Sequence, residues 1–138
     1  MATQSDLRSR RERIFRPILV VDDDPFRAFA RCTALERAFY GVTRAANAAE
    51  AFMMLEEGEF ADKVAVVIVG LSLPGLAGPL FVSELNRRHP GTPILALGRR
   101  GEVAQDYPGR NVRFLPAQTS PRDILEVAAG MVSHARAA

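Results

Sequence analysis

Apolar residues along this chain alternate between two patterns. Short runs rich in Val and Ile, with no polar residue between, occupy positions 18–21, 64–69 and 94–97, and a fourth run at 112–115 is broken by Arg113. Between these runs the apolar positions recur every three or four residues, the period of a helix with one buried face. That alternation predicts βα units around a parallel sheet whose strands are covered on both sides. Arg16-Pro17 leads into the first strand, Ile18-Leu19-Val20-Val21. Asp24 then caps a helix with Pro25 at its first position, and Ala28, Cys32, Leu35 and Phe39 form its buried stripe up to Gly41. Residues 42–45 read as a weaker, peripheral strand. Asn47 and Glu50 stand in capping-box spacing at the head of a second helix, which buries Ala51, Phe52 and Leu55 and stops at Gly58.

The strongest strand, 64–69, is followed by Leu73-Pro74-Gly75, which turns the chain toward a helix carrying Leu80, Phe81 and Leu85. His89-Pro90-Gly91 closes that helix. The last helix opens at Ser120-Pro121-Arg122-Asp123 and buries Ile124, Leu125, Ala128 and Val132. Between Gly98 and Val112, the breakers Gly101, Pro108 and Gly109 leave only residues 102–106 for a remnant of one or two helical turns. The expected inventory is five strands and at least four helices. Ligands of such sheets collect at the carboxyl ends of the strands, so any chemistry belongs after Val21, Val69, Leu97 and Leu115.

Composition narrows this picture. A chain of 138 residues with 48% apolar content fits one domain with a continuous core. The net charge of +2 is unevenly placed, because Arg8, Arg10, Arg11, Arg13 and Arg16 crowd the start. A basic, flexible arm over residues 1–16 is therefore expected ahead of a domain at 17–138. The arm has no aromatic residue before Phe15 and no DNA-reading motif accompanies it, so nucleic acid is not an expected partner. Cys32 is the single cysteine, which excludes an intramolecular disulfide and a Cys-rich metal site. With no signal-peptide apolar segment and no apolar run long enough to span a bilayer, a cytoplasmic protein without a membrane partner is expected.

The chemistry-bearing feature is Asp22-Asp23-Asp24 at the end of the first strand. Asp24 is accounted for as a helix cap at the positive end of the helix dipole. Asp22 and Asp23 repel each other and need a cation, and paired carboxylates at a strand end suit a hard divalent ion such as Mg²⁺.

Three stretches resemble the successive signatures of response-regulator receiver domains of bacterial two-component signalling. They are Ile18 through Pro25 (ILVVDDDP), Leu71 through Gly78 (LSLPGLAG), and Pro93-Ile94-Leu95-Ala96-Leu97 followed by Arg100-Gly101-Glu102. The resemblance runs from about Arg16 to Val132. It implies an α/β, flavodoxin-like, doubly wound five-stranded parallel sheet of order 2-1-3-4-5, with the family's fourth helix short or remodelled. It also implies a reaction in which an Asp after strand three accepts a phosphoryl group. Mg²⁺ is then held by that Asp, the acidic pair and a backbone carbonyl.

This chain departs from the family at the reactive positions. The phosphoacceptor position is Gly70, the Thr/Ser position after strand four is Gly98, the Lys position is Ala117, and the usual cis-Pro position is Gln118. Without nucleophile and Lys, phosphoryl transfer is not expected, and neither is any catalytic residue. Ser72 has no base to activate it. Asp22 and Asp23 alone would hold Mg²⁺ weakly or not at all, so no cofactor is expected. Arg99 or Arg100, after strand four, is expected to swing over the acidic pair, the alternative being that both stay solvated. Phe114 falls on the family's switch aromatic and is expected to hold one inward rotamer.

The reading is a degenerate, or pseudo-receiver, form. It is a phosphorelay-related signalling protein that binds another signalling protein or itself without phosphorylation and has no enzymatic activity of its own. Its binding face would be the family's fourth helix with strand five and the last helix, or else helix one. One alternative is a phosphoacceptor regulator altered at Gly70. Another is a small-ligand or nucleic-acid module using the room that Gly70, Gly98 and Ala117 leave in the pocket.

Overall fold

The computed structural model describes residues 14, 16–58, 60, 63–72 and 77–137. Five strands, β1 (Ile18–Val21), β2 (Val42–Ala45), β3 (Val66–Val69), β4 (Ile94–Gly98) and β5 (Val112–Pro116), alternate with four helices, α1 (Pro25–Leu35), α2 (Ala48–Glu57), α3 (Ala77–Arg88) and α4 (Pro121–Ala137). The strands are all parallel, in the order β2-β1-β3-β4-β5, with Val21 level with Ala45 on one side and Val69 on the other. The chain crosses from one side of β1 to the other after β2, so the carboxyl ends of β1 and β3 meet at the switch in strand order. Asp22 and Gly70 follow those ends directly.

Every residue of β1, β3 and β4 is buried, as their unbroken apolar runs require, whereas edge strand β5 is only partly covered. One core lies beneath α2 and α3 around Leu19, Val67, Phe81 and Leu85. The other lies beneath α1 and α4 around Val20, Ile68, Leu35, Ile124 and Val132. The caps follow the sequence: Asp24 accepts from Phe26 and Arg27 N–H, Asn47 from Glu50 N–H, and Ser120 from Asp123 N–H. Between β4 and β5 only a short 3₁₀ turn, Ala104–Asp106, stands where a full helix would fit.

Several details differ from the pattern-based expectation. Helix α1 ends at Leu35 instead of running to Phe39, and Phe39 reaches the core from the turn that follows. Its buried stripe is Ala28, Arg31 and Leu35, with Cys32 only half-buried. Leu80 points outward at 63% exposure while Phe81 and Leu85 carry the α3 contact. Phe52 and Leu125 lie at the core margins. The turn expected at residues 73–75 and the arm up to residue 13 lie outside the described residues. Two residues assigned to that flexible arm are instead held by the domain: Ile14 is buried and bridges Phe39, and Arg16 donates to the carbonyls of Lys63 and Val64.

Candidate functional site

The first residue beyond β1, Asp22, is fully buried, and a buried carboxylate persists only if it is paired and hydrogen-bonded. Its partners come from one turn and the next of α1. Side chains on a helix lean toward its N-terminus, so Arg27 and Arg31, four residues apart, both reach back over the end of β1. Arg27 grips Asp22 side-on, with Nε 3.0 Å from Oδ2 and Nη2 2.7 Å from Oδ1. The same Nη2 donates to Asp23 Oδ1 at 3.1 Å and to the Gly70 carbonyl at 2.7 Å. Arg31 donates from Nη1 to Asp22 Oδ2 at 2.7 Å and from Nη2 to the Ala117 carbonyl at 3.1 Å. Asp24 N–H completes the set on Asp22 Oδ1 at 2.9 Å.

Arg31 is itself only 3% exposed. Burial lowers its pKa, and the Asp22 carboxylate and their hydrogen bond oppose that fall. Arg27, hydrogen-bonded to Asp22, is raised further above its usual range. Asp23 lies beside this pair at the pocket mouth. Its burial raises the carboxyl pKa, but the hydroxyl and N–H of Ser72, which donate at 2.8 and 3.0 Å, outweigh that and leave it below the usual value. Among the described residues no buried side-chain nitrogen or oxygen lacks a partner.

The two glycines at the strand ends each make room for a side chain. A Cβ at position 70 would stand 2.3 Å from Arg31 Nη1, so the space next to Asp22 is taken by that guanidinium. A Cβ at position 98 would stand 2.1 Å from Phe114 Cε2, so the Phe114 ring lies inward across Gly98. There it faces Tyr107, ring centres 5.7 Å apart, and the Tyr107 hydroxyl donates to Glu102 at 2.7 Å. The room that Gly70 and Gly98 were expected to leave is filled from α1 and β5, and at Ala117 Arg31 reaches the backbone carbonyl.

The residues match the Response regulator receiver domain over positions 18–111, more than half of the chain. The chain belongs to the response regulator receiver family. It is 33% identical over 85 residues to the transcriptional regulatory protein KdpE of Staphylococcus aureus, a match covering 62% of this chain and 35% of that protein. The chain thus spans about a third of the length of that relative. Its fold is similar to a receiver domain protein of Clostridium thermocellum (TM-score 0.74, 19% identity, 89% of this chain and 98% of that one). It is equally similar to the signal receiver domain of an HD domain-containing protein of Pseudomonas fluorescens (TM-score 0.74, 22% identity, 89% and 99% coverage). The receiver domain of nitrogen regulatory protein C superposes with a TM-score of 0.72 at 20% identity, covering 86% and 94% of the two chains.

As a receiver, the chain brings Asp22, Asp23, Gly70 and Ala117 to one place, with Gly98 and Phe114 beside them. The cations on Asp22 and Asp23, however, are Arg27 and Arg31, not Arg99 or Arg100. The helix supplies both, and Arg99 instead uses its N–H on Glu102. A signal for Arg31 was present: it stands three after Ala28 and four before Leu35, so it interrupts an apolar stripe close to three carboxylates. A receiver's divalent ion does not fit these residues. The oxygens it would use, on Asp22 and Asp23, are held by Arg27, and residue 70 offers only a carbonyl, also held by Arg27. No group of three or more His, Cys, Asp or Glu among the described residues is placed to hold a metal ion.

Proposed function

We propose that this receiver is a phosphorylation-independent signalling module, which works by presenting a fixed surface to another signalling protein or to a second copy of itself. The observation that carries this reading is the seat of Arg31. Its guanidinium stands 2.3 Å from where a side chain at position 70 would begin, and it pairs with Asp22 there. Phosphoryl transfer needs a nucleophile at that point and cations free to follow the developing charge. Here the nucleophile is absent and the two nearest cations are spent on Asp22 and Asp23.

The switch surface is equally occupied. Phe114 lies over Gly98, where no hydroxyl exists to follow a phosphoryl group, so the β4–β5 edge has one arrangement to offer. The α1 face supports an interaction role: Phe26 and Phe29, one turn apart, are 87% and 73% exposed. A receiver altered only at the acceptor would not also have its pocket filled from α1 and β5, and a small ligand would have to displace both Arg31 and Phe114.

Incubation of the chain with acetyl phosphate and Mg²⁺, followed by intact-mass measurement, tests the reading. The expected result is the unmodified mass alone. An added phosphoryl mass that survives neutral pH and is lost on mild hydroxylamine treatment, as an acyl phosphate is, would overturn it.

A further inference from the structure

We infer that Arg27 and Arg31 are a resident cation: their two guanidinium groups occupy the acidic pocket permanently and keep divalent metal out of it. The inference rests on the reading above for its context, but it concerns metal and not phosphoryl transfer. Three carboxylates, Asp22, Asp23 and Asp24, and three guanidinium groups, Arg27, Arg31 and Arg44, whose Nε donates to the Asp22 carbonyl at 3.0 Å, gather here, so the cluster is locally neutral before any ion arrives. Arg27 holds one oxygen of each carboxylate and the Gly70 carbonyl through a single nitrogen, Nη2, at 2.7–3.1 Å. One donor on three oxygens from two strand ends occupies the point where a divalent ion would have to sit. Arg31 closes the floor, on Asp22 Oδ2 and the Ala117 carbonyl.

The device follows from where the charges are tethered. A free ion must be drawn from solution and stripped of water, whereas both arginines arrive with α1, whose packing against β1 and α4 is part of the fold. An incoming divalent ion would meet Arg27, already on the oxygens it needs, and a second positive charge behind it. Repulsion at such distances weakens binding by at least about tenfold, even at a dielectric near that of water. The remaining Asp23 oxygen is turned to Ser72 N–H, 3.2 Å away, which leaves no carboxylate oxygen of the pair uncommitted.

The experiment uses Mn²⁺ as probe, read by paramagnetic broadening of the backbone amide signals of Asp22, Asp23, Asp24, Leu71 and Ser72. In the unaltered chain these signals should keep their widths through millimolar Mn²⁺. In Arg27→Gln, which leaves Arg31 on Asp22, they should broaden at Mn²⁺ concentrations about tenfold lower than any that affect the unaltered chain. Equal broadening in the two chains would overturn the inference. So would no broadening in either, because the missing acceptor carboxylate, and not the arginines, would then be what excludes metal. Should Arg27→Gln not fold, the thermal midpoint of the unaltered chain decides: it should be the same in MgCl₂ as in EDTA, and a rise with Mg²⁺ overturns the inference. Each of these results is separate from the acetyl phosphate measurement, since a chain could bind Mn²⁺ and still accept no phosphoryl group.

Discussion

Arg31 is the residue on which the pocket turns. A 3%-exposed guanidinium is tolerated because each end of its fork is used, one on a fully buried carboxylate and the other on a backbone carbonyl. Truncation leaves Asp22 with Arg27 as its one ion-pair partner and opens a hole under Gly70. Arg31→Met should therefore cost about 3 kcal/mol, roughly 10 °C in thermal midpoint. The double variant Asp22→Asn/Arg31→Met should lose less than the sum of the two single changes by about 1–2 kcal/mol, because the second change removes a charge the first left unpaired. Urea unfolding of the four chains checks both numbers, and strict additivity would contradict the pairing. Arg27, being 30% exposed, has part of its charge in water and should cost less when truncated.

At the scale of elements, the absence of a side chain at one strand end is matched by the presence of one from a neighbouring element. Gly70 of the β3 end accepts Arg31 of α1, and Gly98 of β4 accepts the Phe114 ring of β5. The second pair gives a direct test. Gly98→Thr would place its Cβ 2.1 Å from a ring carbon of Phe114, far inside van der Waals contact, so the ring must leave. The expected outcome is loss of the ring-to-ring nuclear Overhauser effects between Phe114 and Tyr107, with destabilisation of about 1–3 kcal/mol. Persistence of those effects at unchanged stability would mean that the ring does not sit across Gly98. The 3₁₀ turn Ala104–Asp106 belongs to the same arrangement. It brings Tyr107 under Gly78 of α3, where a Cβ would come within 2.7 Å of the Tyr107 hydroxyl, and burial together with the Glu102 hydrogen bond raises that hydroxyl's pKa.

For the whole molecule, the acidic cluster sets part of the response to acid. Asp23 has a folded pKa below its ordinary value of about 3.9 because Ser72 and Arg27 favour the carboxylate more than burial opposes it. A group depressed in the folded state contributes stability that is fully present above its unfolded pKa and is lost as pH falls through the folded one. The unfolding free energy should accordingly drop as pH falls below about 4, and Asp23→Asn should show a flatter acid limb than the unaltered chain. In Ser72→Ala, the Asp23 carboxyl should titrate at higher pH by NMR. An unmoved Asp23 titration would remove Ser72 from the account.

Much of this was legible from sequence. Unbroken Val and Ile runs can be satisfied only as strands covered on both faces, and Asp24-Pro25 and Asn47 leave little choice of helix start, so element order and sheet class follow from local chemistry. Gly70, Gly98 and Ala117 stand out as lacking functional side chains only through the resemblance to receivers, although a glycine cannot be a nucleophile in any fold. What stands beside those positions was not legible beyond the spacing of Arg31 between Ala28 and Leu35. The reach of Arg27 and Arg31 depends on how α1 lies against the end of β1. An apolar period favours Cys32 over Arg31 as a buried position, because periodicity weighs hydrophobicity and cannot see a carboxylate brought in from another element. The direction in which Phe114 packs depends on a glycine sixteen residues earlier that is its neighbour only across the sheet. Sequence determined that positions 70 and 98 carry no side chain, and tertiary structure decided that the space beside them is filled, because filling is a matter of distance between residues that the chain itself keeps apart.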